Sequence, residues 1–244
     1  MHVAKATAAG LLMLIALVLS AGCTVRQDIV LRADGSGQAG LQVELHPILI
    51  RYVNDLASAM TGRDVEHPVF DEAQIAAVIR ERQGIDLVRL EQRGRGGLVV
   101  DVAFRDISEL FAREGASDVL WIEPRGANRE LIIRLNREAV YRFLDFAPAD
   151  SAAMMQMLFP PADGSVTRNA YRDELAWALE EYERRSVVER VLDEARIDVR
   201  VVPAGRIVSQ QGGRIVGDAV VFSVPVLELL TLAEERRYSV VFAP

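Results

Sequence analysis

Lysine is almost missing from this chain: of 28 basic residues among 244, only Lys5 is a lysine, and the rest are arginines. There is one cysteine, Cys23, with three histidines and an aromatic fraction of 6%. A single cysteine excludes an internal disulfide. Without thiols to supplement His46 and His67, a zinc site of three or four side chains is not expected. Positive charge is also scarce. Beyond residue 22, 27 arginines face 35 acids, a net charge of −8. That balance excludes nucleic acid as a partner, because such binding relies on neutralising phosphates. It equally disfavours simple electrostatic adhesion to anionic lipid. No G-x-S-x-G elbow occurs, and the glycine-rich run Arg93–Gly97 lacks the lysine of a phosphate-binding loop. No cofactor motif is found, and no repeat of fixed period. The scarcity of lysine itself reads as coding bias in a GC-rich genome.

What is present is ordinary folding material. Half the residues are hydrophobic and 26% are charged, as in globular domains. The length suits one substantial domain.

The first 22 residues have their own plan. Lys5 supplies one positive charge, Leu11–Leu19 is an unbroken apolar run, and Ser20, Ala21 and Gly22 are small. Charge, apolar run, small residues and cleavage point is the order of a secretory signal, and the run is short for a membrane span. Leu19-Ser20-Ala21-Gly22-Cys23 resembles the bacterial lipobox. That resemblance implies a signal peptide over 1–22, a diacylglyceryl group on the Cys23 sulfur, cleavage before Cys23 and acylation (palmitate) of the new amine. Ser20 departs from the leucine most common there. Thr24, where aspartate often retains lipoproteins at the inner membrane, implies an outer-membrane destination in a diderm host.

Residues 23–244 read as a single exported domain. Val25, Ile29 and Leu31 alternate with polar residues, Asp34-Gly35-Ser36-Gly37 signals a turn, and Leu41, Val43 and Leu45 alternate again, which predicts a hairpin with no tether after Cys23. Helices are expected at 47–60 and from Asp71 to about 83, strands at 85–92 and 97–105, a short helix at 106–114, and strands near 118–123 and 130–135. A helical insertion is expected at about 137–195, containing one long helix near 166–195. Strands return at 197–201, 220–224 and 238–242, with an apolar stretch at 226–233. Eight or nine short strands, mostly in hairpins with helices inserted, predict an α+β fold with a mostly antiparallel sheet.

Both ends of the chain resemble the LppM-like lipoproteins. At the front, Cys23 is followed by strand, Asp34-Gly35-Ser36-Gly37 and strand; at the back stand Val201–Ile207, Gln211-Gly212-Gly213, Gly217 and Asp218–Val224. The match spans about the first 25 mature residues and the last 50, and rests on turn motifs. Ala204 separates proline from glycine where the family runs them together. The family implies an envelope-attached α+β domain with no established catalytic residues to carry over.

The remaining candidate is Met154, Met155, Met157, Leu158 and Phe159. These residues suit either an apolar groove for an acyl chain or partner helix, or ordinary packing of a helix on the sheet. Trp121 and Trp177 read as core or rim positions. The expectation is therefore a non-enzymatic binding or adaptor module, tethered to an envelope membrane, for lipid or another envelope protein. The competing reading is an envelope hydrolase.

Overall fold

A computed structural model describes residues 23–62, 69–113, 115–142 and 159–244. Residues 1–22, the expected signal peptide, lie outside the described residues, as do Met154, Met155, Met157 and Leu158. The chain is α+β: eleven strands in two sheets, with seven helices among the described residues.

The first strand, β1 (Cys23–Leu31), begins at the cysteine itself. It pairs along its whole length with β2 (Gly37–Leu45), Cys23 opposite Leu45. Val25, Ile29 and Leu31 face the core while Arg26, Asp28 and Val30 are exposed, as a period of two requires. The turn is held by Asp34, whose Oδ1 accepts from the Ser36 amide at 3.0 Å and its hydroxyl at 2.7 Å. Those bonds hold the Asp34 carboxyl below its ordinary range, and Gly35 supplies a φ of +89°. Gly37 cannot be replaced by a larger residue, because a Cβ there would stand 2.1 Å from the Val30 carbonyl oxygen.

After β2 come α1 (Pro47–Thr61) and α2 (Glu72–Arg80), then the hairpin β3 (Ile85–Arg93) and β4 (Gly97–Phe104). α3 (Ile107–Arg113) leads to a second hairpin, β5 (Leu120–Arg125) and β6 (Asn128–Leu135), and then α4 (Arg137–Arg142). Two helices follow, α5 (Arg168–Leu179) and α6 (Arg185–Glu194). The chain closes with β7 (Arg196–Pro203), β8 (Arg206–Gln211), β9 (Arg214–Val216), β10 (Ala219–Pro225), α7 (Val226–Leu230) and β11 (Arg236–Ala243).

The larger sheet has the order β3-β4-β2-β1-β7-β10-β9 and the smaller β5-β6-β11-β8. All pairings are antiparallel but one: β1 and β7 run parallel, Thr24 opposite Arg196. That junction joins the first strand to a strand about 170 residues later. It is made possible by the helices between, which supply the crossover a parallel pair needs.

Two expectations change here. The single helix near 166–195 is two helices broken at residues 180–184. Leu175 and Leu179 are buried, and so are Val188 and Leu192. Nine positions separate Leu179 from Val188, about two and a half turns, so one straight helix would point them to opposite sides. The break restores the phase. Arg172 then clamps the two helices by donating to Asp193 through Nε and Nη2 at 2.9 and 2.8 Å. Secondly, the expected single sheet is two, and β8 and β9 were not anticipated. The chain leaves the larger sheet at Gly205 (φ +91°) and returns through Gly212 (φ +78°) and Gly213. At Gly213 a Cβ would approach the Phe222 ring to 2.6 Å, so the crossing depends on the missing side chain.

Most of the buried apolar side chains, drawn from both sheets and all seven helices, form one cluster. α7 lies at its centre: Val226, Leu227, Leu229 and Leu230 are all buried, and α4, α5, α6 and β10 all contact it. The outer face of β1 and β2 is polar, with Arg26, Asp28, Gln42 and Glu44 exposed.

Candidate functional site

The residue with an expected chemical role, Cys23, stands first in β1. Its neighbours are fixed by register. Leu45 is across from it on β2, and the Leu45 amide donates to the Gly96 carbonyl at 2.9 Å. The β3–β4 turn, with Arg93 and Arg95, is therefore at the same end of the sheet. On the other side, Arg196 opens β7 opposite Thr24. Three arginines thus ring the edge at which the chain enters the domain.

Beside them, on the polar face, is a shallow cleft of about 420 Å³ lined by Thr24, Arg26, Gln42, Glu44 and Arg93. Arg93 Nε donates to Glu91 Oε1 at 3.3 Å, and Glu91 also pairs with Arg89. These two guanidinium groups hold the Glu91 carboxyl below its ordinary range.

Of the candidate apolar groove only Phe159 is described. It is 8% exposed and packs edge-to-face on Tyr141 at 5.8 Å, whose hydroxyl donates to the Pro160 carbonyl. Phe159 is a core residue; the four others lie outside the described residues. Trp121 is at the rim, its indole N–H donating to Glu123 at 3.0 Å and its face under Arg134. Trp177 corrects the core-or-rim expectation: it is 68% exposed on α5. Its position one turn after Asp173 puts it on the solvent face of that helix.

Nearby, α1 is anchored to the α5–α6 break. Arg51 donates to the Tyr182 carbonyl at 2.9 Å, and Tyr52 meets the Tyr182 ring edge-on at 6.0 Å. Burial, followed by a hydrogen bond to Asp55, pushes the Tyr182 hydroxyl up to about 12. Tyr171, 3% exposed, is driven up chiefly by burial.

His46 serves as a helix cap. Its Nδ1 accepts from the Ile48 amide at 3.3 Å, an unusual choice at a position that favours Ser, Thr, Asp or Asn. Burial, and then Arg51, hold its imidazole below the ordinary value, while Glu183 acts the other way. Among the described residues no three His, Cys, Asp or Glu side chains come together as metal ligands, and no helix is long and apolar enough to cross a membrane. On the α5–α6 pair, Asp193 bonds to Arg172 and Glu180 lies 3.8 Å from Arg185.

The fold class is thus an α+β domain of two mostly antiparallel sheets sharing one core. No family model matches the chain, and no curated protein does. Among solved structures, the NMR structure of the folded domain of LppM from Mycobacterium tuberculosis is similar over 92% of this chain and 92% of that one, with 12% identity and a TM-score of 0.42. LppM belongs to the family that the turn motifs resemble, and likeness at this level does not place the chain within it.

Proposed function

We propose that this chain is an envelope lipoprotein, held to a membrane through a diacylglyceryl group on Cys23, whose domain acts as a non-enzymatic binding or adaptor module for lipid or another envelope protein. The observation that carries the reading is the start of β1 at Cys23. Cys23 is itself a strand residue, paired with Leu45 of β2, so the residue that would carry the lipid is part of the central hairpin. Two or more acyl chains, each methylene contributing about 0.8 kcal/mol, hold stably where one chain is marginal. The domain then rests at the headgroup layer without a leash.

The ring of Arg93, Arg95 and Arg196 supports this orientation. Arginines near an anionic surface contribute up to about 1 kcal/mol each, Arg93 less than the others because Glu91 already pairs with it. Thr24 favours the outer membrane in a diderm host.

The test is fractionation with N-terminal analysis. Wild-type protein is expected in the membrane fraction, beginning at an acylated Cys23. Cys23→Ala is expected to leave an uncleaved precursor beginning at Met1. A Cys23→Ala protein that is still processed before residue 23 and still sediments with membranes overturns the proposal. Mass spectrometry of lipids that co-purify with the wild type separates a lipid carrier from a protein adaptor.

A further inference from the structure

A second concavity lies at the opposite end of the larger sheet, about 25 Å from Cys23 at roughly 3.3 Å per residue along β1. Its volume is about 480 Å³, and it is framed by the end of α2, the end of β4 and the start of α3. Four arginines line it, Arg80, Arg82, Arg105 and Arg113, with three acids, Asp86, Asp106 and Glu109.

Two of those acids already have partners. Asp106 Oδ1 accepts from the Ser108 and Glu109 amides at 2.8 and 3.0 Å, capping α3. Glu109 Oε2 accepts from Arg113 at 3.3 Å, and Arg113 also donates to Gln83 at 2.9 Å. Arg82 is only 7% exposed. The backbone fixes the frame as well: the Arg105 amide donates to the Gly84 carbonyl at 3.1 Å, locking the end of β4 to the turn after α2. In a chain of net charge −7, an arginine majority gathered in one hollow is a local reversal of sign.

We infer that this cleft binds an oxyanion, a phosphate ester or pyrophosphate group, as the recognition site of the binding module proposed above; its role rests on that reading, its chemistry does not. The planar guanidinium fork pairs with two oxygens of a phosphate at once, and arginines at the ends of α2, β4 and α3 line this one hollow. The anchor would hold the cleft on the side of the domain away from the membrane, open to a partner or to a free ligand.

Calorimetric titration of the full-length chain in neutral detergent, at constant ionic strength, tests it. One arm uses inorganic pyrophosphate and glycerol phosphate, the other phosphatidylglycerol in mixed micelles. Saturable binding in the first arm assigns a free phosphate ligand, and in the second alone a lipid headgroup. In either case Arg80→Gln/Arg105→Gln, both exposed, is expected to weaken binding by about tenfold or more through two lost charge-assisted bonds. Arg206→Gln/Arg214→Gln, which removes the same charge from β8 and β9, should leave it within about twofold. No saturable heat in either arm, or an equal loss in both double variants, overturns the inference. Cys23 does not enter this experiment, so its failure leaves the anchoring proposal standing, and failed anchoring leaves this one standing.

Discussion

At the scale of single residues, His46 does a polar cap's work with a titratable ring. It can accept from the Ile48 amide only while Nδ1 carries no proton. Its folded-state pKa lies below the unfolded value of about 6.5. The cap therefore contributes fully above pH 6.5, and its contribution is lost as pH falls through the folded-state value. His46→Asn keeps an acceptor that does not titrate. Chemical denaturation between pH 7.5 and 5 is expected to show a smaller fall in stability for this variant than for the wild type. At pH 7.5 the two should agree within about 1 kcal/mol, the usual worth of a cap. Identical pH profiles would show that His46 plays no such part. Nothing in the sequence around His46 announced the role, because histidine is not a usual cap residue. By contrast Asp71, whose side chain accepts from the Gln74 amide at 3.0 Å, was legible as the start of α2.

The elements were legible where pattern and length were both sufficient. β1, β4 and α1 fall within a residue or two of expectation because their alternation or three-to-four spacing is long and clean, whereas β2 starts four residues before the Leu41–Leu45 alternation, at Gly37 of the expected turn. β8 failed that test: Arg206–Gln211 carries only two strong apolar residues, and Val208 is 43% exposed at a sheet edge. The α5–α6 break was hidden because charged residues at 180–185 fit a solvated helical face as well as a turn. Its physical cause, the phase slip between Leu179 and Val188, needs knowledge of which residues are buried. α6 also begins poorly. Arg184 sits at its N-cap with extended backbone, and its side chain makes no capping bond. Arg184→Asp supplies an acceptor and a charge that suits the helix N-terminus. We expect it to stabilise the protein by about 1 kcal/mol in urea unfolding; no change, or a loss, would mean that the break is held by Tyr182 and Arg51 alone.

At the scale of the molecule, the two sheets depend on each other. Phe222 on β10 is 1% exposed and meets Tyr238 of β11 edge-on at 5.5 Å, bridging the larger sheet to the smaller. Phe222→Ala is expected to cost about 3–5 kcal/mol. Because one core serves both sheets, circular dichroism and the fluorescence of Trp121, read in a Trp177→Phe background, should give coincident urea transitions in wild type and variant. Separate transitions would mean two independently folding units.

The sequence by itself determined the local periodicities, the turns at Asp34–Gly37 and Arg93–Gly97, the α+β class and the position of Cys23 at the threshold of the domain. Each follows from chemistry within a few residues: alternation, spacing, positive φ at glycine. Tertiary structure alone decided that β1 and β7 lie parallel, that β8 leaves one sheet for the other, and that Arg80, Arg82, Arg105 and Arg113 share a hollow. Those outcomes are set by contacts between residues tens to nearly two hundred positions apart, and local pattern carries no record of which distant partner a buried face will meet. For Cys23 the fold added a location: the end of a ringed sheet edge, opposite the arginine cleft.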